Sequence, residues 1–221
     1  MLEEFAMIGK ELFESGLVDS HGGDMSIRRG DRIFITKRDR MLHHLKEEDL
    51  LEVGLEKDPD ADKDASREVN VHRAIYKNTD AKAVLHAHPV SATAISISDN
   101  KVVPLDADGL STLKAVPIVR ANEPIGSEDV ARILPTLIGK TGGVAMVKGH
   151  GSFAAASSLE EAYKLTSILE RSSSIILSLR SAQPARPPQR EQHAPQHRGA
   201  IPPGIGVMDR SRYRRGNIQN R

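Results

Sequence analysis

The chain has 221 residues, enough for one full-sized domain with a tail, and it contains no cysteine. The absence of cysteine excludes disulfides and thiolate metal sites, so any transition metal must be bound by histidine and carboxylate. The formal charge of +1 hides a division, because residues 181–221 carry eight arginines and two acids, which leaves 23 basic and 28 acidic residues in 1–180.

The first third of the chain predicts a helix, a hairpin and a second helix. Apolar residues at helical spacing from Leu2 to Phe13 predict a first helix that ends at Gly16. Apolar residues alternate on either side of the turn RRGD, which predicts a β-hairpin. We expect a second helix from Ser66 to Tyr76.

The remainder of 1–180 alternates between strands and helices. Ser158 and Glu161 form a capping box that predicts the start of a long amphipathic helix reaching Leu179. Short strands mixed with helices on their faces favour an α/β or α+β sandwich over a bundle or a barrel. The other predicted elements are strands at 84–88, 116–119 and 144–147, and helices at 91–98 and 127–138, the last interrupted or ended near Pro135.

Residues 181–221 predict a disordered tail outside a 1–180 domain. The segment holds six of the twelve prolines and shows no helical or strand period. It is either a solvated terminus or a segment whose arginines around Tyr213 fold over an anionic site or contact nucleic acid. Nucleic-acid binding as the main task is disfavoured, because the body is acidic and the chain has only 3% aromatic residues.

The N-terminal sequence bears on location. It begins MLEEF, which is acidic where a secretory signal is basic, and no stretch approaches the roughly 18 consecutive apolar residues of a membrane span. We therefore expect a soluble, cytoplasmic protein with no membrane partner.

The stretch AVLHAHP carries the first metal-site signal. His86 and His88 are two residues apart, so on a strand both imidazoles lie on the same face. A catalytic zinc site needs a third protein ligand. The pair alone therefore predicts a metal site weakly, and surface or core histidines are the alternative.

Two further residues complete a candidate set. His150 follows an apolar strand and is flanked by glycines that allow close backbone approach, although a simple turn histidine would look the same. Glu68 could supply a carboxylate ligand, although a glutamate in a first helical turn is usually only a favourable partner of the helix dipole. His72, one turn further on, is expected to pack or to support a ligand.

Several stretches, in this order, resemble the class II aldolase/adducin family: GLVDSHGGDMSIRRGDRIFIT, ASREVNVHRAIY, AVLHAHP, VKGHGSFAAASSLEEA and a closing ILERSSSII helix. The resemblance spans residues 1–180. It implies a three-layer sandwich in which a mostly antiparallel sheet is flanked by helices, and a homotetramer with its sites between neighbouring subunits.

The same resemblance implies a metal centre and a reaction. His86, His88 and His150 would bind a divalent metal, usually zinc, and Glu68 would be the general acid/base and a ligand of the resting metal. The implied enzyme is a zinc-dependent aldehyde-lyase of carbohydrate metabolism. It would cleave a small ketose phosphate, such as fuculose 1-phosphate, to dihydroxyacetone phosphate and an aldehyde through a metal-stabilised enediolate.

Two alternatives to this reaction stay open. One is an epimerase, dehydratase or decarboxylase of the same family, acting on another small acidic or phosphorylated molecule. The other is an adducin-like assembly module, which keeps the fold without the metal.

The phosphate pocket departs from the family pattern of small neutral groups. Asp24 would repel a phosphate group, whereas Arg38 and Arg67 could supply bidentate contacts to an anion. The positions implied for substrate or phosphate binding are Gly23, Asp24, Ser26, Arg38, Ser66 and Arg67.

The tyrosine that protonates the departing aldehyde in some members is also missing. The PLDADG stretch places Asp106 or Asp108 in that neighbourhood, and Asp108 is the candidate catalytic acid. A simple loop role for this stretch is the alternative.

Overall fold

The structure is a computed structural model that describes residues 1–139 and 142–182. In these residues eight strands form one sheet, and helices cover both of its faces. The strands are β1 (Asp24–Arg29), β2 (Arg32–Thr36), β3 (Leu50–Gly54), β4 (Ala83–Ala87), β5 (Lys101–Val102), β6 (Val116–Val119), β7 (Gly143–Val147) and β8 (Gly151–Ala156). The helices are α1 (Leu2–Glu14), α2 (Val69–Asn78), α3 (Val90–Ser98), α4 (Ala107–Thr112), α5 (Glu128–Ile138) and α6 (Leu159–Ala182).

The sheet is mostly antiparallel, as predicted. Its strand order is β3-β2-β1-β4-β8-β7-β6-β5, and only the β6–β7 pair is parallel. The order places β4 between β1 and β8, so residues distant in sequence meet at the end of β4. That end is where the candidate metal ligands lie.

Two buried clusters, one on each face, make the fold a three-layer sandwich. On one face α1 and α6 pack on residues such as Met25 and Leu85. On the other face α2 and α5 pack on each other and over Val84 and Phe153. The α/β sandwich expected from the sequence is therefore confirmed.

Three strands, β3, β5 and β8, and one helix, α4, were missed by the sequence analysis. β3 lacks a clear period of two, and β8, GSFAAA, is buried at every position, so neither alternates as a half-exposed strand does. The predicted end of α5 at Ile138 is confirmed, but the expected interruption or end near Pro135 does not occur. The helix continues through Pro135, and Leu134 and Ile138 are buried in the core.

The boundaries of two site elements also differ from the prediction. α2 begins at Val69, which leaves Glu68 at the N-cap position rather than inside the helix. β4 ends at Ala87, so His88 lies one residue beyond the strand. The backbone N–H of His88 donates to the Leu17 carbonyl at 2.8 Å, a contact with the loop after α1.

The predicted tail lies almost entirely outside the described residues. Ser181 and Ala182 are described, and they form the last residues of α6, beyond the boundary expected at 180. Within 1–139 and 142–182, no helix combines the length and the apolar character needed to cross a membrane.

Candidate metal centre

A solvent-open cavity lies where β1 begins and β4 ends. The segment after β2, the turn before α2, the loop before α5 and the turn between β7 and β8 also line it.

Three histidines converge in this cavity. His86 comes from β4, His88 follows it, and His150 lies in the turn between β7 and β8. The Nε2 atom of His86 lies 3.1 Å from Nε2 of His88 and 3.2 Å from Nε2 of His150. Nitrogens arranged tetrahedrally at zinc-binding distance are roughly 3.3 Å apart, so this donor set fits a divalent metal.

Glycines permit this close approach. Gly149 has a φ of +67°, which favours glycine, and it turns the chain from β7 towards β8. A Cβ on Gly151 would collide with the Ala87 carbonyl oxygen and lie 2.8 Å from Cδ2 of His88. Any larger residue at 151 would therefore push β8 away from the histidines of β4.

The histidines are prepared as neutral donors. Burial lowers the pKa of His86 and His88, and burial together with the charge of His88 lowers that of His150 to about 4. The Nδ1 atom of His86 lies 2.9 Å from the Ser152 carbonyl oxygen, so its proton is held there and Nε2 keeps its lone pair. A metal requires such neutral imidazoles.

Glu68 lies beside the histidines. Its Oε1 atom is 4.0 Å from Nε2 of His150 and accepts a 2.9 Å hydrogen bond from the backbone N–H of Gly126. Its Oε2 atom is buried with no hydrogen-bond partner among the described residues. Burial raises the pKa of Glu68 most, and the charge of Asp24 raises it further, whereas the hydrogen bond from Gly126 lowers it. The resulting pKa is about 8.

Asp24 is a buried, ionised carboxylate in the cavity wall. Its Oδ1 atom lies 2.8 Å from Nε2 of His72, and its Oδ2 atom accepts a 2.8 Å hydrogen bond from Ser66. Burial, the largest single influence, would raise its pKa, but the neighbouring His72, the charge of His86 and the Ser66 hydrogen bond together lower the pKa to about 2. His72 therefore supports Asp24 rather than reaching the cavity itself.

Ser26 does not reach the cavity, contrary to the expected substrate contact. Its side chain is fully buried, and its Oγ atom lies 2.7 Å from Nδ1 of His72 and 2.8 Å from the Tyr76 hydroxyl. These contacts place Ser26 beneath Asp24, in a buried polar chain. Gly23, with a φ of +77°, does line the cavity.

The cavity rim carries three cations, one of which the sequence analysis missed. The Arg38 guanidinium donates to the Lys63 carbonyl oxygen at 2.9 Å, and Arg67 lies 3.7 Å from an exposed carboxylate, that of Asp39. The missed residue is Lys37, which also lines the cavity. The period-two pattern of β2, continued past Thr36, places Lys37 on the same face as Ile35 and could have identified it.

The structure does not bring Asp108 to the cavity of its own chain. Asp108 is exposed in the first turn of α4, and it is not among the residues that line the cavity. Asp106 caps α4, since its side chain accepts a 2.9 Å hydrogen bond from the Gly109 N–H. The PLDADG stretch therefore builds a helix start.

Comparison with known proteins gives consistent similarities. Residues 3–177 match the model of the class II aldolase and adducin N-terminal domain. The chain is 29% identical over 176 residues to L-fuculose phosphate aldolase of Methanocaldococcus jannaschii, which covers 79% of this chain and 94% of that protein. It is 30% identical over 181 residues to methylthioribulose-1-phosphate dehydratase of Acidiphilium cryptum, with 76% and 85% covered.

A solved structure shows the same likeness. The crystal structure of L-fuculose-1-phosphate aldolase from Thermus thermophilus superposes with a TM-score of 0.75 at 35% sequence identity. The match covers 84% of this chain and 98% of that one.

Proposed function

The chain belongs to the class II aldolase and adducin family, and we propose that it is a metal-dependent aldolase. The proposed reaction is cleavage of a small ketose phosphate, such as fuculose 1-phosphate, to dihydroxyacetone phosphate and an aldehyde. The observation that carries the proposal is the convergence of three neutral imidazoles and one buried carboxyl group in a single cavity.

The metal would be held by His86, His88 and His150, with Glu68 as a further ligand when no substrate is present. We propose zinc, because three histidines and a carboxylate are a common zinc donor set. When bound, the cation would supply Lewis acidity to the substrate's oxygens.

Glu68 would move the proton that carbon–carbon cleavage requires. It lies on the histidine side of the cavity, and its buried Oε2 atom lacks a hydrogen-bond partner among the described residues, so a substrate hydroxyl could take that place. The Gly126 N–H holds the other oxygen, which fixes the direction in which the carboxyl group points.

The second candidate is a dehydratase with the same residues. The Acidiphilium relative is as similar to this chain as the aldolase relatives are, and it covers a comparable share of the chain. In that reaction Glu68 would move a proton during loss of water, and the carbon skeleton would stay whole.

The same proposal includes an oligomeric state and a cellular location. We propose a cytoplasmic homotetramer. Leu105 and Leu110 are more than half exposed on one part of the surface, as expected of side chains that another subunit covers.

Metal content and a Glu68→Gln variant test the proposal. Purified protein should hold stoichiometric divalent metal after incubation with zinc and should convert dihydroxyacetone phosphate and lactaldehyde to a ketose phosphate. Glu68→Gln should keep the metal and lose roughly 10²–10⁴-fold in kcat, because it can no longer transfer a proton. Glu128→Gln, an exposed glutamate of α5, is the matched control and should keep full activity.

Three results would contradict the proposal. Failure to bind metal would remove the enzymatic interpretation, and an active Glu68→Gln variant would remove Glu68 from its role. Turnover of methylthioribulose 1-phosphate with water loss, in the absence of aldol cleavage, would favour the dehydratase.

A further inference from the structure

An acidic, a basic and a histidine side chain lie in a row across neighbouring strands. Asp24 of β1 pairs directly with His86 of β4 in the antiparallel register. The β1–β2 register, continued two residues beyond the Ser26–Ile35 pair, places Lys37 opposite Asp24. Directly opposite residues share one face of a sheet, and all three line the cavity.

The Asp24 carboxylate cannot turn away from this row. His72 holds one of its oxygens and Ser66 the other, and the side chain is buried. An ionised carboxylate accepts hydrogen bonds and donates none. A phosphate or carboxylate group placed against Asp24 would therefore meet a like charge without a proton to share.

Lys37 is the rim cation left available for a ligand. Arg38 donates to backbone carbonyls of the 63–65 segment, and Arg67 faces Asp39. Within the described residues no carboxylate lies within 4.0 Å of the Lys37 ammonium group. An unpaired ammonium beside a cavity attracts anions.

We propose that Asp24 and Lys37 determine substrate specificity by fixing where the anionic group binds. Lys37 receives the anionic group at the rim, and Asp24 excludes it from the wall beside His86. Asp24 instead accepts a hydrogen bond from a ligand hydroxyl. The inference rests on the proposed function and narrows its substrate class to small hydroxylated molecules whose anionic group lies away from the metal ligands.

Binding of inorganic phosphate to metal-loaded protein, measured by titration calorimetry at fixed ionic strength, tests this assignment. Asp24→Asn should tighten phosphate binding by about tenfold or more, because the charge that repels the anion is lost. Lys37→Met should weaken binding by a similar factor. Asp80→Asn and Lys82→Met change the same charges at exposed positions that do not line the cavity, and they should shift affinity by less than about threefold.

Equal effects of Asp24→Asn and Asp80→Asn, or of Lys37→Met and Lys82→Met, would overturn the proposal. Circular dichroism would show whether Asp24→Asn folds. If it does not fold, the comparison of Lys37→Met with Lys82→Met tests the proposal alone. The measurement uses no substrate, so its failure leaves the aldolase proposal standing, and failure of the aldol assay does not affect it.

Discussion

At the scale of single residues, metal binding at the candidate site depends on which nitrogen of each imidazole carries the proton. The Ser152 carbonyl oxygen holds the Nδ1 proton of His86, which leaves Nε2 facing its two neighbours. Nε2 of His86 can therefore act as a metal ligand, and His88 and His150 would each have to present an unprotonated Nε2 to the same cation.

Removal of one imidazole should abolish tight metal binding. We expect His150→Ala to lower zinc affinity by at least about 100-fold, since loss even of groups that support a ligand costs 10–100-fold. His21→Ala is the matched control, because His21 lines the same cavity, is exposed and lies outside the triad. Competition with a zinc-binding dye measures both. Equal affinity in the two variants would place the metal elsewhere.

At the scale of elements, the Glu68 carboxyl group is positioned by a loop distant in sequence. Glu68 precedes α2, whereas its hydrogen-bond donor Gly126 lies between β6 and α5. Gly126 has a φ of +59°, and a Cβ there would collide with the Arg67 carbonyl oxygen. The loop can therefore approach Glu68 only with glycine at this position.

Gly126→Ala should separate this loop from Glu68. Gly30 is the matched control, because it has the same φ of +59° and open space where a Cβ would stand. Gly30→Ala should cost about 1–2 kcal/mol of unfolding free energy, the left-handed backbone penalty alone. Gly126→Ala should cost more, and it alone should lower kcat. Urea unfolding and the aldol assay measure the two effects, and equal stability and activity in both variants would count against the loop's role.

The sequence identified the elements better than it identified their contacts. The histidines were predictable, because a two-residue spacing after an apolar run and flanking glycines are local signals. Gly126 was not, since its contact with Glu68 spans 58 positions and leaves no local pattern. β8 was missed for a related reason, because a strand buried on both faces has no alternation to detect.

The same distinction applies to two of the expected site residues, Ser26 and Asp108. Ser26 lies on the same face of β1 as Asp24, as expected from the period of two. Helix α2 covers that part of the face, and the Ser26 hydroxyl contacts His72 and Tyr76 of this helix. Asp108 was proposed from the family resemblance, which does not say which way α4 faces. Both placements depend on packing between elements, which short-range patterns do not encode.

At the scale of the whole molecule, the candidate metal ligands join segments that meet only in the folded chain. His86 and His88 lie at the end of β4, and His150 lies in the turn between β7 and β8. An unfolded chain presents no such site, so a metal that binds there stabilises the folded state through mass action. Metal content and thermal stability should therefore change together.

Chelation of the metal should lower the melting temperature of the whole domain. A cation present at 100 times its Kd stabilises the folded state by about 2.7 kcal/mol. For a domain of this size each kcal/mol corresponds to roughly 2–4 °C, so a chelator should lower the melting temperature by roughly 5–11 °C. Scanning calorimetry with and without the chelator measures the shift, and His150→Ala should show little of it. An unchanged wild-type melting temperature, or an equal fall in His150→Ala, would mean that the histidine cluster does not couple metal binding to folding.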